Sequence, residues 1–172
     1  PVISVGNLTL GGTGKTPMVR YVARLLLGRG MRPAIVSRGY GGKAGGKVNI
    51  VADGCKTLLA PEMAGDEPFM LAEALPGVPV LTGSERAWVA RHAIDAFGVH
   101  VIVMDDGFQH LAVRRDLDLV LFSAGTLLGN GRVFPGGELR EPLSALGRAH
   151  AFVVTGVDQS NRSGVENFQR WL

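Results

Sequence analysis

Apolar positions along the chain fall into short unbroken runs, separated by stretches in which they recur at helical spacing. Val2–Val5, Ala34–Ser37, Val78–Leu81, His100–Met104, Asp118–Phe122 and Ala151–Val154 are runs of the first kind. They suit strands buried on both faces, as in parallel sheets. Gly6 is expected to end the first. From Lys15 to about Arg29, Val19, Val22, Ala23, Leu26 and Leu27 mark one face of a helix. Gly28 and Gly30 close it, and Pro33 leads into the next strand. Further helices are predicted from Asp66 to Leu75 and from Ser84, a good N-cap residue, to Phe97. Val48–Ala52 and Lys56–Leu59 read as a hairpin around Asp53-Gly54. Ala124–Pro142 is Gly- and Arg-rich loop, with a short helix around Leu143–Arg148. The alternation predicts a three-layer α/β domain with a mainly parallel sheet. The chain opens at Pro1 directly on a buried-looking strand and stops at Trp171-Leu172 within a helical pattern. A domain trimmed from something longer is the expectation.

Composition narrows the classes. The 172 residues suffice for one sizeable core, and 46% hydrophobic against 19% charged residues is globular rather than disordered. A single cysteine, Cys55, excludes an internal disulfide and a Cys-rich zinc site, and suits a reducing cytoplasm. The net charge of +3 is small and its basic residues are scattered, so no nucleic-acid partner is expected. No apolar run approaches the ~18 residues of a membrane span, and no signal-peptide pattern appears.

The chemistry enters between the first strand and the first helix. Thr9-Leu10-Gly11-Gly12-Thr13-Gly14-Lys15-Thr16 matches a P-loop at every fixed position but the first, where Thr9 replaces Gly. The glycines let successive backbone N–H groups curl around a β-phosphate. Lys15 would reach between the β- and γ-phosphates, Thr16 would ligate Mg²⁺, and the helix adds its positive dipole end. A strand before and an amphipathic helix after are the context this motif requires. The expectation is a P-loop NTPase domain binding a nucleoside triphosphate with Mg²⁺.

His100–Met104 runs straight into Asp105-Asp106, the form of a strand that ends in a metal-site carboxylate. Asp105 is the candidate Mg²⁺ ligand. Asp106 stands beside it to orient the metal's waters or the nucleophile. Gln109 and His110 follow at once and are candidates for orienting the acceptor or the nucleotide. The bland alternative is a solvated Asp-Asp-Gly turn.

At this point the residues resemble one family. Val5–Pro17, Ser37-Arg38-Gly39-Tyr40-Gly41-Gly42, Gly65-Asp66-Glu67-Pro68, Asp105-Asp106-Gly107-Phe108-Gln109-His110, and Gly129-Asn130-Gly131-Arg132 leading to Leu139-Arg140-Glu141-Pro142 are similar, in this order, to tetraacyldisaccharide 4′-kinases of Gram-negative bacteria. The blocks cover roughly Val2 to Gly156, and the family also lacks Gly where Thr9 stands. The resemblance implies transfer of the ATP γ-phosphoryl group to the 4′-hydroxyl of an acylated glucosamine disaccharide 1-phosphate.

It implies Asp66, Lys15 and Asp106 as the catalytic set, with Asp66 accepting or positioning the proton of the attacking hydroxyl. Read from the residues alone, Asp66 is a helix N-cap with Pro68 in the first turn. Arg132 and Arg140 are candidates for substrate or nucleotide phosphates, because guanidinium forks match phosphate geometry. By the same resemblance, an N-terminal amphipathic segment docks the full-length protein on the cytoplasmic face of the inner membrane. A C-terminal portion supplies a His partner to the catalytic Asp. Neither is in this chain, which is therefore expected to bind nucleotide without completing transfer. No obligate protein partner is expected. Two other readings fit the P-loop and acidic pair alone: a kinase or ligase with a small soluble acceptor, and a non-enzymatic nucleotide switch.

Overall fold

The computed structural model describes residues Pro1–Leu172. Seven strands form one sheet: β1 (Val2–Asn7), β2 (Pro33–Ser37), β3 (Asn49–Asp53), β4 (Pro79–Thr82), β5 (Val101–Asp105), β6 (Leu117–Ser123) and β7 (Ala151–Thr155). Their spatial order is β3-β4-β2-β5-β1-β6-β7, with every pairing parallel except β3 on β4. The helices are α1 (Lys15–Gly28), α2 (Pro61–Ala64), α3 (Asp66–Ala74), α4 (Arg86–Phe97) and α5 (Arg162–Trp171), with a 3₁₀ turn at Leu143–Arg148. None is long and apolar enough to cross a membrane.

Most of the apolar runs are explained by burial on both faces; β7, at the edge of the sheet, is the exception, with no buried residue and Phe152 exposed. On one side Val5, Ile35, Val80, Val103 and Leu121 meet Val19, Val22 and Leu26 of α1 and Leu71 of α3. On the other, Ala34, Val36, Ile102 and Met104 meet Val89, Ala90 and Ala93 of α4. Farther along that second face, Val120 and Phe122 pack with Phe168 of α5 and with Leu8, Phe108 and Leu139. The three layers are those predicted.

Four local expectations are corrected. Gly6 does not end β1; it pairs with Val120, and the strand continues to Asn7. A Cβ on Gly6 would lie 2.6 Å from that of Phe108, so the missing side chain is what lets the turn after β5 fold over β1. The hairpin is shorter than expected: Asp53 Oδ1 accepts from the backbone N–H groups of Cys55 and Lys56 at 2.8 and 2.9 Å in its turn. Past it Thr57 bridges Ala52 and Leu58 N–H donates to the Val51 carbonyl at 2.7 Å before Pro61 opens α2, while β4 pairs along the other edge of β3. Helix α4 begins at Arg86 with Glu85, not Ser84, at its N-cap. Asp66 is the first helical residue of α3 rather than its cap; Gly65, at φ 89°, takes the cap position, which a side chain would strain.

Candidate active site

Strands β1, β2 and β5 are neighbours running the same way, so their carboxyl ends deliver three sequence blocks to one rim of the sheet. Crevices outside the carboxyl ends of such sheets are where α/β folds take their ligands. The loop after β1 is fixed on two sides. Asn7, fully buried, donates from Nδ2 to the Thr9 carbonyl at 2.6 Å and accepts from Lys15 Nζ at 3.2 Å. Thr9 pairs with Leu139, with Leu10 N–H donating to the Glu138 carbonyl and Arg140 N–H to that of Leu8, both at 2.7 Å. Pairing across so long a sequence separation carries Arg140 into the site. Gly11 and Gly12 are exposed, Thr13 is buried, and Gly14 at φ 80° turns the chain into α1, which opens with Lys15 and Thr16.

The turn after β5 supplies the carboxylates. Asp106 has φ 50°, a left-handed conformation that costs on the order of 1 kcal/mol for a residue with a side chain. Its side chain stands between two cations. Lys15 Nζ lies 3.6 Å from Oδ1, and Arg140 Nη1 donates to Oδ1 and Oδ2 at 2.9 and 2.8 Å. Its carbonyl accepts from Arg86 Nη1 at 2.7 Å. Burial alone would push the Asp106 carboxyl upward, but the Arg140 hydrogen bond and the charges of Lys15, Arg140 and Arg86 outweigh it and hold it below the ordinary carboxylate range.

Asp105 lies beneath, 1% exposed, aligned in register with Val5. Ser37 Oγ reaches its Oδ2 at 3.5 Å, and its Oδ1 has no hydrogen-bond partner. Burial, with the charges of Glu67 and Asp106, pushes it up to about 6 against the pull of Lys15 and Arg86. A buried carboxylate oxygen without a donor has the character of a cation ligand, since such groups otherwise find a partner.

Two adjoining cavities open here. The larger, about 660 Å³, includes Lys15, Arg38, Asp66, Glu67, Asp106 and Arg140 in its walls. The smaller, about 400 Å³, is lined by Arg38, Ser84, Arg86, Asp106, Gln109, His110 and Arg140, without a hydrophobic residue. Gln109 donates to the Asn7 carbonyl at 2.9 Å, and its Oε1 is 3.5 Å from Arg140 Nη1. Burial and the nearby guanidinium groups of Arg86, Arg115 and Arg38 lower the pKa of His110, favouring its neutral ring. The turn carrying these side chains is anchored at both ends. Phe108 is fully buried beneath the Arg148 guanidinium, which lies 4.7 Å from its ring centre. Arg115 donates to the carbonyls of His110 and Val113 at 2.9 and 3.0 Å and pairs with buried Asp118 at 3.0 Å.

The sequence profile of the tetraacyldisaccharide-1-P 4′-kinase family matches residues 1–170. The chain belongs to this family. It is 62% identical over 156 residues to the tetraacyldisaccharide 4′-kinase of Desulfotalea psychrophila, covering 91% of this chain and 45% of that protein. It is 52% identical over 164 residues to that of Syntrophus aciditrophicus, covering 95% and 44%. The crystal structure of LpxK from Aquifex aeolicus in complex with ATP superposes with a TM-score of 0.83 at 42% identity, over 91% of this chain and 48% of that one. The chain thus spans less than half the length of the curated tetraacyldisaccharide 4′-kinases it matches.

Within this member of the 4′-kinase family, Lys15, Asp66, Asp106 and Arg140 share one cavity, and Gln109 and His110 line its neighbour. Arg132 is not brought in: it is exposed and lines neither cavity. Three polar residues of the site carried no role in the sequence reading. Asn7 is a polar residue at the end of a mostly apolar strand, a signal available in the sequence. Arg38 stood in a recognised block without an assigned task. Arg86, 5% exposed, gave no signal, because a helical arginine reads as solvated until its burial is seen.

Proposed function

We propose that this chain forms the nucleotide-binding part of an ATP-dependent kinase. The enzyme phosphorylates the 4′-hydroxyl of a tetraacyldisaccharide 1-phosphate, the lipid A precursor, at the cytoplasmic face of the inner membrane, with peripheral membrane contact. The observation that carries the reading is the placement of Lys15 3.6 Å from Asp106, in a cavity whose wall also holds Asp66. Phosphate cradle, acidic pair and candidate proton acceptor meet at one place.

In this reading the backbone amides of Gly11–Thr16 and the α1 dipole hold the β-phosphate. Lys15, held by Asn7 and Asp106 within reach of the loop, neutralises charge between the β- and γ-phosphates. Asp66, with a carboxylate in the first turn of α3, takes the proton from the sugar hydroxyl as its oxygen bonds to Pγ. The bond from Pγ to the β,γ-bridging oxygen breaks and ADP leaves. Arg38, Arg86 and Arg140 present donors to anionic oxygens of nucleotide or acceptor.

Thr16 and Asp105 suit Mg²⁺. No group of three or more His, Cys, Asp or Glu side chains forms a metal cage, and Mg²⁺ characteristically relies on one or two protein oxygens together with phosphates and water. When bound, the ion would neutralise phosphate charge.

The test is transfer of ³²P from γ-labelled ATP to the acylated disaccharide 1-phosphate by the full-length protein. Labelled lipid product that disappears with Lys15→Ala is the expected result. Intact ATP binding without lipid product would sink the assignment of the acceptor.

A further inference from the structure

The last carbonyl of the phosphate loop before Gly14, that of Thr13, is not served by the helix that follows it. The first intrahelical bond of α1 runs from Met18 N–H to the Gly14 carbonyl. The Thr13 carbonyl lies one residue earlier, and the residue four positions on from it is Pro17, which has no N–H. Thr13 is nonetheless buried, at 2% exposure. Its carbonyl accepts from the hydroxyl of Thr155 at 3.0 Å, across 142 residues of sequence.

Thr155 is presented rigidly. It ends β7 in register with Ser123 of β6, and its carbonyl accepts from Ala124 N–H at 2.8 Å. Its Oγ1 is also 3.3 Å from the Phe122 carbonyl, so one hydroxyl proton serves two acceptors with the loop the nearer. Its methyl group lies 3.4 Å from where a Cβ on Gly14 would stand. The strand therefore abuts the Thr13-Gly14 peptide with both a donor and an apolar stop.

We infer that Thr155 is a positioning residue for the phosphate loop. In a trans peptide the carbonyl and the following N–H point to opposite sides. With the Thr13 carbonyl held against β7, the Gly14 N–H is turned away from β7. Loss of the hydroxyl frees this peptide to rotate, which is easy at a glycine, and that rotation withdraws a donor from the phosphate cradle. The inference rests on the reading of Thr9–Thr16 as a phosphate loop, and it assigns the far end of the sheet a part in nucleotide affinity.

The experiment measures Mg²⁺-ATP binding calorimetrically on the full-length protein and on its Thr155→Val, Thr155→Ser and Lys15→Ala variants, with a melting curve for each. Val keeps the shape and removes the donor; Ser keeps the donor and removes the methyl group. The expected result is a Kd raised about tenfold in Thr155→Val, the scale of one buried hydrogen bond left unmade, while Thr155→Ser stays within about twofold of the parent. In ¹⁵N spectra the Gly14 amide should move in Thr155→Val and not in Thr155→Ser. Parent-like affinity in Thr155→Val would overturn the proposal, as would equal loss in both variants, which would assign the effect to packing. If Thr155→Val does not fold, Thr155→Ala takes its place with the same two outcomes: a tenfold loss and a moved Gly14 amide uphold the role of the hydroxyl, and parent-like binding removes it. If the full-length parent itself binds no ATP, the phosphate-loop reading fails first and this inference with it. If Lys15→Ala loses binding while Thr155→Val does not, the inference alone fails.

Discussion

Arg140 Nη1 bonds both carboxylate oxygens of Asp106, at 2.8 and 2.9 Å, although the two residues leave the sheet from different strands. The pair holds Asp106 ionised and fixes its direction in a backbone conformation that offers few alternatives. Arg140→Ala in the full-length enzyme should lower kcat/KM for transfer about a hundredfold, in line with loss of a charged donor at a site of developing charge. Arg140→Lys should recover part of the loss. Unchanged kinetics in the alanine variant would reduce the pair to an ordinary half-exposed salt bridge, which contributes little.

Asp105 carries a pH dependence of opposite sense to most carboxylates. Its folded pKa of about 6 exceeds the ordinary carboxylate value of 3.8, so between those values the native chain binds more protons than the unfolded one. Its contribution to stability is full below about pH 4 and is lost as pH rises through about 6. Without nucleotide and in EDTA, Asp105→Asn should therefore melt several degrees above the parent at pH 7.5, for a penalty of roughly 2–3 kcal/mol removed. At pH 4 the two should coincide. A variant less stable at pH 7.5 would mean that Asp105 is held by partners rather than strained by burial.

Asp66 opens α3 behind a Gly65 cap, so what its carboxylate adds to the helix is its charge in the first turn, on the order of 0.3–1 kcal/mol. Asp66→Asn in the full-length enzyme should leave ATP affinity within about twofold and lower kcat by 10²-fold or more, the usual scale for a lost general base. Parallel loss of affinity and kcat would return this residue to a structural role.

Gly6→Ala tests how the acidic turn is seated. The added methyl would lie 2.6 Å from Phe108 Cβ and 2.8 Å from its backbone nitrogen. Relief requires the Asp105–Phe108 turn to lift from β1. The expected cost is on the order of 1–3 kcal/mol, with weakened ATP binding because Asp106 moves with the turn. Chemical denaturation of both proteins would reveal it, and an unchanged midpoint would show that the turn yields freely.

Local pattern revealed the sheet and its helices because doubly buried strands leave unbroken apolar runs and α1 leaves a helical stripe. It failed where a distant segment decides. Lys56–Leu59 has strand-like residues, yet its pairing with β3 is cut short where Pro61 opens α2. Gly6 looks like a stop, yet it is the space for Phe108. The proposed phosphate loop and acidic pair could be read because each is a run of adjacent residues, and the fold brings Lys15 to Asp106. Arg86 and the Thr155–Thr13 contact were not, since each depends on burial or on a partner more than a hundred residues away or across a helix.

Every segment with chemistry leaves the sheet from the same rim. The opposite rim carries the turns at Gly30, Gly77 and Gly98, all with positive φ. These turns precede β2, β4 and β5, whose far ends reach the cavities about a strand length away. A fluorophore or affinity handle inserted at Gly77 or Gly98 would thus be mechanically joined to the nucleotide site through single strands while staying clear of it. That rim is a side on which handles can be attached without touching the residues that line the cavities.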